Sequence, residues 1–157
     1  MLAGMSTSFQ PTPVPGLPSP YDEVGGLVYF ARMVAKIRLR AEGKLPEAYY
    51  PNLGEGFDAR CVCFLNIGYN ALKAEVLRGG RSDEELLEWC FYNGRRPSPE
   101  EIEVWNGFLM KRGWRDATGG ILAKRLREAG LPEDGSIPTM FDFIDVDEGR
   151  PLRSFSW

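Results

Sequence analysis

Histidine is absent from this chain of 157 residues, and no other feature of its composition removes as much chemistry. Imidazole is the commonest general base near neutral pH and the commonest transition-metal ligand. No serine–histidine or cysteine–histidine pair can form within the chain, and a zinc site would have to be built from carboxylates and only three cysteines, Cys61, Cys63 and Cys90. Neither a metal nor a cofactor is expected from this residue set. Three is an odd number, and Cys61 and Cys63 stand too close for a structural bridge, so the cysteines read as reduced thiols in a cytoplasmic compartment. No apolar run approaches the roughly 18 residues of a membrane span. Met1-Leu2-Ala3-Gly4 has neither the positive charge nor the apolar run of a secretory signal. A net charge of −3 gives no bulk attraction to nucleic acid, which therefore ranks last among partners.

What is present is an ordinary globular composition, 43% apolar and 26% charged, in a chain long enough for one hydrophobic core. Five of the twelve prolines fall in residues 1–20, which read as a proline-rich tail. Residues 21–148 read as a single compact helical domain, and 149–157, with Leu152, Phe155 and Trp157, as an aromatic C-terminal tail. No convincing strand alternation appears. The expected fold class is all-α, with five or six helices including an αα-hairpin and an irregular segment after the first helix.

That first helix is expected over Asp22–Glu42, stopping at Gly43. The irregular segment, residues 44–68, holds Pro46, Pro51, Gly54, Gly56 and Gly68, with a short helix near Ala59–Leu65. A helix over Tyr69–Arg78 ends at Gly79-Gly80. Ser82-Asp83-Glu84-Glu85 and Ser98-Pro99-Glu100-Glu101 both read as capping boxes. Each runs on to a tryptophan at the same offset, Trp89 and Trp105, which suggests two helices packed through those rings across Asn93-Gly94. A further helix spans about Gly120–Ala129, and Thr139 caps a short last one.

On the first helix, Val24, Leu27, Val28, Ala31, Val34 and Ala35 share one face at 100° per residue, and Arg38 projects into it. A guanidinium aimed at a core needs a carboxylate, a phosphate or a route to solvent. Asp58 is its expected internal partner, with Asp142 and Asp145 behind it. Beside that face, Gly25, Tyr29, Arg32, Lys36 and Arg40 form a polar stripe open to a phosphate, a nucleic-acid backbone, an acidic protein surface or plain solvent. Arg60 beside Cys61 would favour its thiolate, whereas small buried core residues are the plainer reading of both Cys61 and Cys63.

Several short runs together resemble a bacterial family built on a domain of unknown function. They are Ser19-Pro20, Gly25-Gly26-Leu27, Arg32-Met33-Val34-Ala35-Lys36-Ile37-Arg38, Gly43, Tyr50, Phe57-Asp58, Phe64-Leu65 and the paired Ser-x-Glu-Glu helices with Trp105-Asn106. The resemblance covers about residues 19–113. It implies a small helical cytosolic protein and supplies no reaction.

Two functional readings follow. In the first, the protein docks an anionic small molecule or an acidic partner on its basic first helix. Arg32, Lys36 and Arg40 supply charge, Arg38 gives rigidity through Asp58, and Tyr29 and Tyr50 give contact area. The basic first helix and the acidic later helices also admit a homo-oligomer. In the second, the protein is an enzyme with a pocket in residues 44–68, using Asp58 as base or Cys61 as nucleophile, with arginines stabilising negative charge.

Overall fold

The computed structural model describes residues 9–155. Met5 and Trp157 lie outside them. The chain divides into two compact units, one spanning Val14–Gly107 and the other made of residues 9–13 and 108–155.

The Val14–Gly107 unit opens with a feature that apolar spacing disguised. Asp22–Val28 is not helix: strands β1 (Glu23–Val24) and β2 (Leu27–Val28) pair antiparallel, with Glu23 opposite Val28 and Val24 opposite Leu27. The turn is Gly25-Gly26, both at positive φ, as a two-residue hairpin loop requires. Asn106 clamps the hairpin, its Oδ1 accepting from the Val28 N–H at 3.1 Å and its Nδ2 donating to the Gly26 carbonyl at 2.7 Å.

Helix α1 therefore covers only Phe30–Ala41. It is the centre of the unit and packs on the hairpin, on α3 (Tyr69–Arg78) and on α4 (Asp83–Asn93). Leu27, Phe30, Met33, Val34, Leu65, Leu72 and Leu86 form the buried core. The segment before the hairpin belongs to this unit: Val14 and Leu17 are buried against Leu39 and Leu45, because apolar residues stand between the prolines. A 3₁₀ helix, Glu47–Asn52, and helix α2, Phe57–Leu65, occupy most of the segment expected to be irregular.

Both serines cap their helices, but only the second forms the full capping box expected of both. Ser82 accepts from the Glu85 N–H, and Ser98 and Glu101 exchange both bonds of a capping box at the start of α5 (Pro99–Met110). Trp105, however, does not meet Trp89: its ring stacks on Phe64 of α2, with centroids 4.6 Å apart and planes at 7°. The α4–α5 connection lies on the end of α2, where the Arg95 N–H donates to the Leu65 carbonyl at 3.0 Å. A Cβ on Gly94 would stand 2.0 Å from that same carbonyl oxygen, so only glycine fits.

In the other unit, α6 (Gly119–Ala129) packs on α7 (Met140–Asp147) through Leu122, Leu126 and Ile137, with Leu131, Met140, Phe143 and Val146 around them. Thr139 caps α7 by accepting from the Asp142 N–H. The fold is thus mostly helical with one small sheet, and the described residues contain seven α-helices and a 3₁₀ helix rather than five or six helices. None of those helices is long and apolar enough to cross a membrane.

Candidate functional site

The Val14–Gly107 unit is organised around a buried carboxylate. Asp58, in the first turn of α2, is fully buried. The Lys36 ammonium lies 2.8 Å from its Oδ1, and the two side chains are 4% and 0% exposed. The Tyr29 phenol donates to the same oxygen at 2.5 Å, and Lys36 donates to the phenol oxygen at 3.0 Å. Tyr29 reaches this position from a left-handed backbone, φ 75°, at the N-cap of α1. A β-substituted residue held there costs on the order of 1–2 kcal/mol.

The expected Arg38–Asp58 pair is overturned. Arg38 points away from the core, its Nη1 2.6 Å from Asp83 Oδ1 at the start of α4 and its Nη2 donating to the Arg81 carbonyl. The reason is the shorter helix: Val24, Leu27 and Val28, which seemed to define the apolar face, belong to the hairpin. Asp142 and Asp145 are not its partners either; Asp142 bonds Thr139 and Asp145 pairs with Arg150. The basic stripe is real but mostly covered. Arg32 is buried and donates to the Pro18 carbonyl at 3.1 Å, Lys36 is held by Asp58, and only Arg40 is exposed. Its guanidinium lies over the Tyr50 ring, 4.0 Å from the centroid.

Cys61, one turn along α2 from Asp58, is buried, and its thiol is pushed well above the ordinary value by burial and then by the Asp58 charge. That reverses the activation expected from Arg60, because a thiol held protonated is a poor nucleophile. The Tyr29 phenol is likewise raised well above its usual value, first by burial and then by Asp58. Among the described residues, no group of three histidine, cysteine, aspartate or glutamate side chains is placed to hold a metal ion.

The second oxygen of Asp58 connects the buried cluster to a surface cavity. Oδ2 accepts from the Gly54 N–H at 3.0 Å. Gly54 sits at φ 75°, and a Cβ there would meet the Tyr69 ring at 3.0 Å, so the ring lies against bare backbone. Gly54 and Tyr69 form one wall of an open cavity of about 690 Å³. Ile37, Leu53 and Leu77 give it apolar surface, and Arg40, Glu55, Asn70 and Lys73 give it polar groups. The Tyr69 phenol is pushed up to about 12 by burial and by Asp58, so it remains a hydrogen-bond donor at neutral pH. Among the described residues, no ion pair engages Arg40, Lys73 or Glu55.

Residues 15–150 match the family model described as Domain of unknown function (DUF5069). The chain belongs to that family. The match extends past residue 113, where the sequence resemblance stopped, and takes in α6 and α7. A comparison with curated proteins finds no match. For this DUF5069 member, sequence reasoning placed Arg40 at the candidate site and missed Gly54, Glu55, Tyr69, Asn70 and Lys73. A signal existed: Asn52-Leu53-Gly54-Glu55-Gly56 is a glycine-flanked turn, and Tyr69 and Lys73 are one turn apart on one face of a helix.

Proposed function

We propose that the protein binds a small anionic molecule in the cavity between α1 and α3. The observation that carries this reading is the convergence of two cations without ion-pair partners among the described residues, Arg40 from α1 and Lys73 from α3, on one cavity of about 690 Å³. That size suits a small organic ligand. Tyr69 and Asn70 add neutral hydrogen-bond donors from the first turn of α3, whose cap, Gly68, provides no side-chain acceptor. Ile37, Leu53 and Leu77 accommodate a ligand's apolar part. Arg32 and Lys36, committed to partners of their own, support the site from within the fold, and Arg38 is engaged by Asp83 at the surface instead of touching the ligand. Tyr50 holds the Arg40 guanidinium in place from beneath. The free thiols Cys61, Cys63 and Cys90 support a cytoplasmic setting.

Native mass spectrometry of protein purified without added ligand, followed by thermal melts against a panel of small carboxylates and phosphates, tests the reading. Saturation by a binding anion raises the melting temperature by a few degrees, since about 100 Kd of ligand adds roughly 2.7 kcal/mol. Arg40→Ala with Lys73→Ala abolishes the shift while leaving the ligand-free melt in place. A panel that moves neither wild type nor variant defeats the proposal.

A further inference from the structure

The cavity carries a charge that a plain anion site would exclude. Glu55 lines it beside Arg40 and Lys73, and its position is fixed by its backbone. The Glu55 N–H donates to the Asn52 carbonyl at 3.1 Å, its carbonyl accepts from the Asp58 N–H at 3.0 Å, and the preceding N–H, that of Gly54, is held by the Asp58 carboxylate. The loop is thus tied on both sides to α2 and its buried aspartate.

If Glu55 served to neutralise the neighbouring cations, it would pair with one of them. Several carboxylates of this unit that stand beside cations do so: Glu75 with Arg78 and Arg81, Glu101 with Arg95, Glu88 with Arg96. Glu55 engages neither Arg40 nor Lys73, and no other ion pair among the described residues involves it. Two cations and one carboxylate therefore line the same cavity with no ion pair between them. A pure anion would be attracted by two of these groups and repelled by the third. A molecule with an ammonium as well as an anionic group satisfies all three.

Resting on the anion-binding reading, we propose that the ligand is an amphipathic zwitterion of the amino-acid type. Its carboxylate meets Arg40 and Lys73, its ammonium meets Glu55, and its apolar side chain lies on Ile37, Leu53 and Leu77.

Matched pairs differing only in the ammonium provide the test: leucine against isocaproate, and phenylalanine against phenylpropionate, by titration calorimetry on the full chain. Because Glu55 is exposed, its ion pair is worth at most about 1 kcal/mol, or about fivefold in affinity. Wild type should prefer the amino acid by about that factor in at least one pair. Glu55→Gln should bring the two to parity by weakening the amino acid and not the acid. Its melting temperature should match wild type, since the Glu55 side chain makes no bond that the fold needs. Equal binding of acid and amino acid by wild type, or a preference that survives Glu55→Gln, overturns the zwitterion while leaving the anion site standing. Binding of neither member of either pair overturns the zwitterion. The wider carboxylate and phosphate panel then decides the anion site on its own.

Discussion

Lys36 and Arg40 lie one turn apart on the same face of α1, both cationic, and the fold uses them in opposite ways. Lys36 is 4% exposed and locked against a carboxylate that is 0% exposed. Arg40 is exposed, rests on an aromatic ring and opens onto a cavity. Nothing in the helix distinguishes them; what differs is the segment that arrives opposite. Phe57–Leu65 brings Asp58 over Lys36, whereas the 3₁₀ helix stops short of covering Arg40 and leaves Tyr50 beneath it. A stripe of like charges thus divides into a buried strut and an open rim, and Gly54 joins the two through Asp58.

The largest expected effect is alkaline, and it is concentrated on the buried side, although Tyr69 of the cavity wall shares in it. The buried side holds acids whose protonated forms the fold favours: Tyr29 and Cys61 are raised well above their ordinary values, and Cys90 is pushed up to about 12 by burial. A group raised on folding contributes fully below its unfolded value, and that contribution is lost as pH climbs toward the folded one. Stability should therefore be level up to about pH 8 and fall continuously toward pH 12. Urea midpoints measured from pH 7 upward check this, and a flat profile would show that the cluster is wetter than its geometry.

Next comes removal of the strut. Lys36→Met leaves the Asp58 charge buried without its counterion and should cost about 3–5 kcal/mol in urea unfolding. Arg40→Met should cost less than about 0.5 kcal/mol. Adding Asp58→Asn to Lys36→Met removes the stranded charge and should recover a large part of the loss, the coupling expected of residues in contact. Near-equal costs for the two cations would break the division outright.

The sequence made the local half of this molecule legible. Ser82, Ser98 and Thr139 were readable as caps because a cap bonds within three residues of itself. Gly43, Gly79 and Gly130 stop or follow their helices at positive φ for the same local reason. The hairpin was readable in principle from Gly25-Gly26 between Val24 and Leu27. It was hidden because Val24, Leu27 and Val28 happen to continue the helical spacing of Ala31, Val34 and Ala35. What could not be read was who meets whom. Asp58 and Asp83 both carry carboxylates that Arg38 could use, and spacing along the chain does not choose between them. The choice was made by α1 beginning at Phe30, which gives Asp58 to Lys36 and leaves Asp83 for Arg38. The cavity was illegible for the same reason, since its cations come from two helices and its carboxylate from a loop.

Smaller than the loss of Lys36 is the loss of the joint between strut and rim. Gly54→Ala must adopt φ 75° and press a methyl group on the Tyr69 ring at 3.0 Å. Strain and contact together should cost about 1–3 kcal/mol in thermal or urea unfolding. Because the same ring walls the cavity, the variant should also weaken whatever anion the wild type binds. A stable Gly54→Ala protein with unchanged binding would uncouple the two regions.

Smaller than the loss of Gly54 is the loss of Arg38, and it makes the comparison sharper. Its pair with Asp83 is short, 2.6 Å, but the side chains are 38% and 29% exposed. Water screens such a pair, and fixing two long side chains costs entropy, so the contact is worth less than about 1 kcal/mol. Arg38→Ala should lower stability by no more than that, and a double-mutant cycle with Asp83→Ala should return a coupling that fades in molar salt. The Lys36–Asp58 coupling, shielded by protein, should hold at the same salt concentration. A salt-resistant coupling at Arg38 would mean that this ion pair, too, is a strut, and that distance from the core, and not what covers a charge, sets the roles along α1.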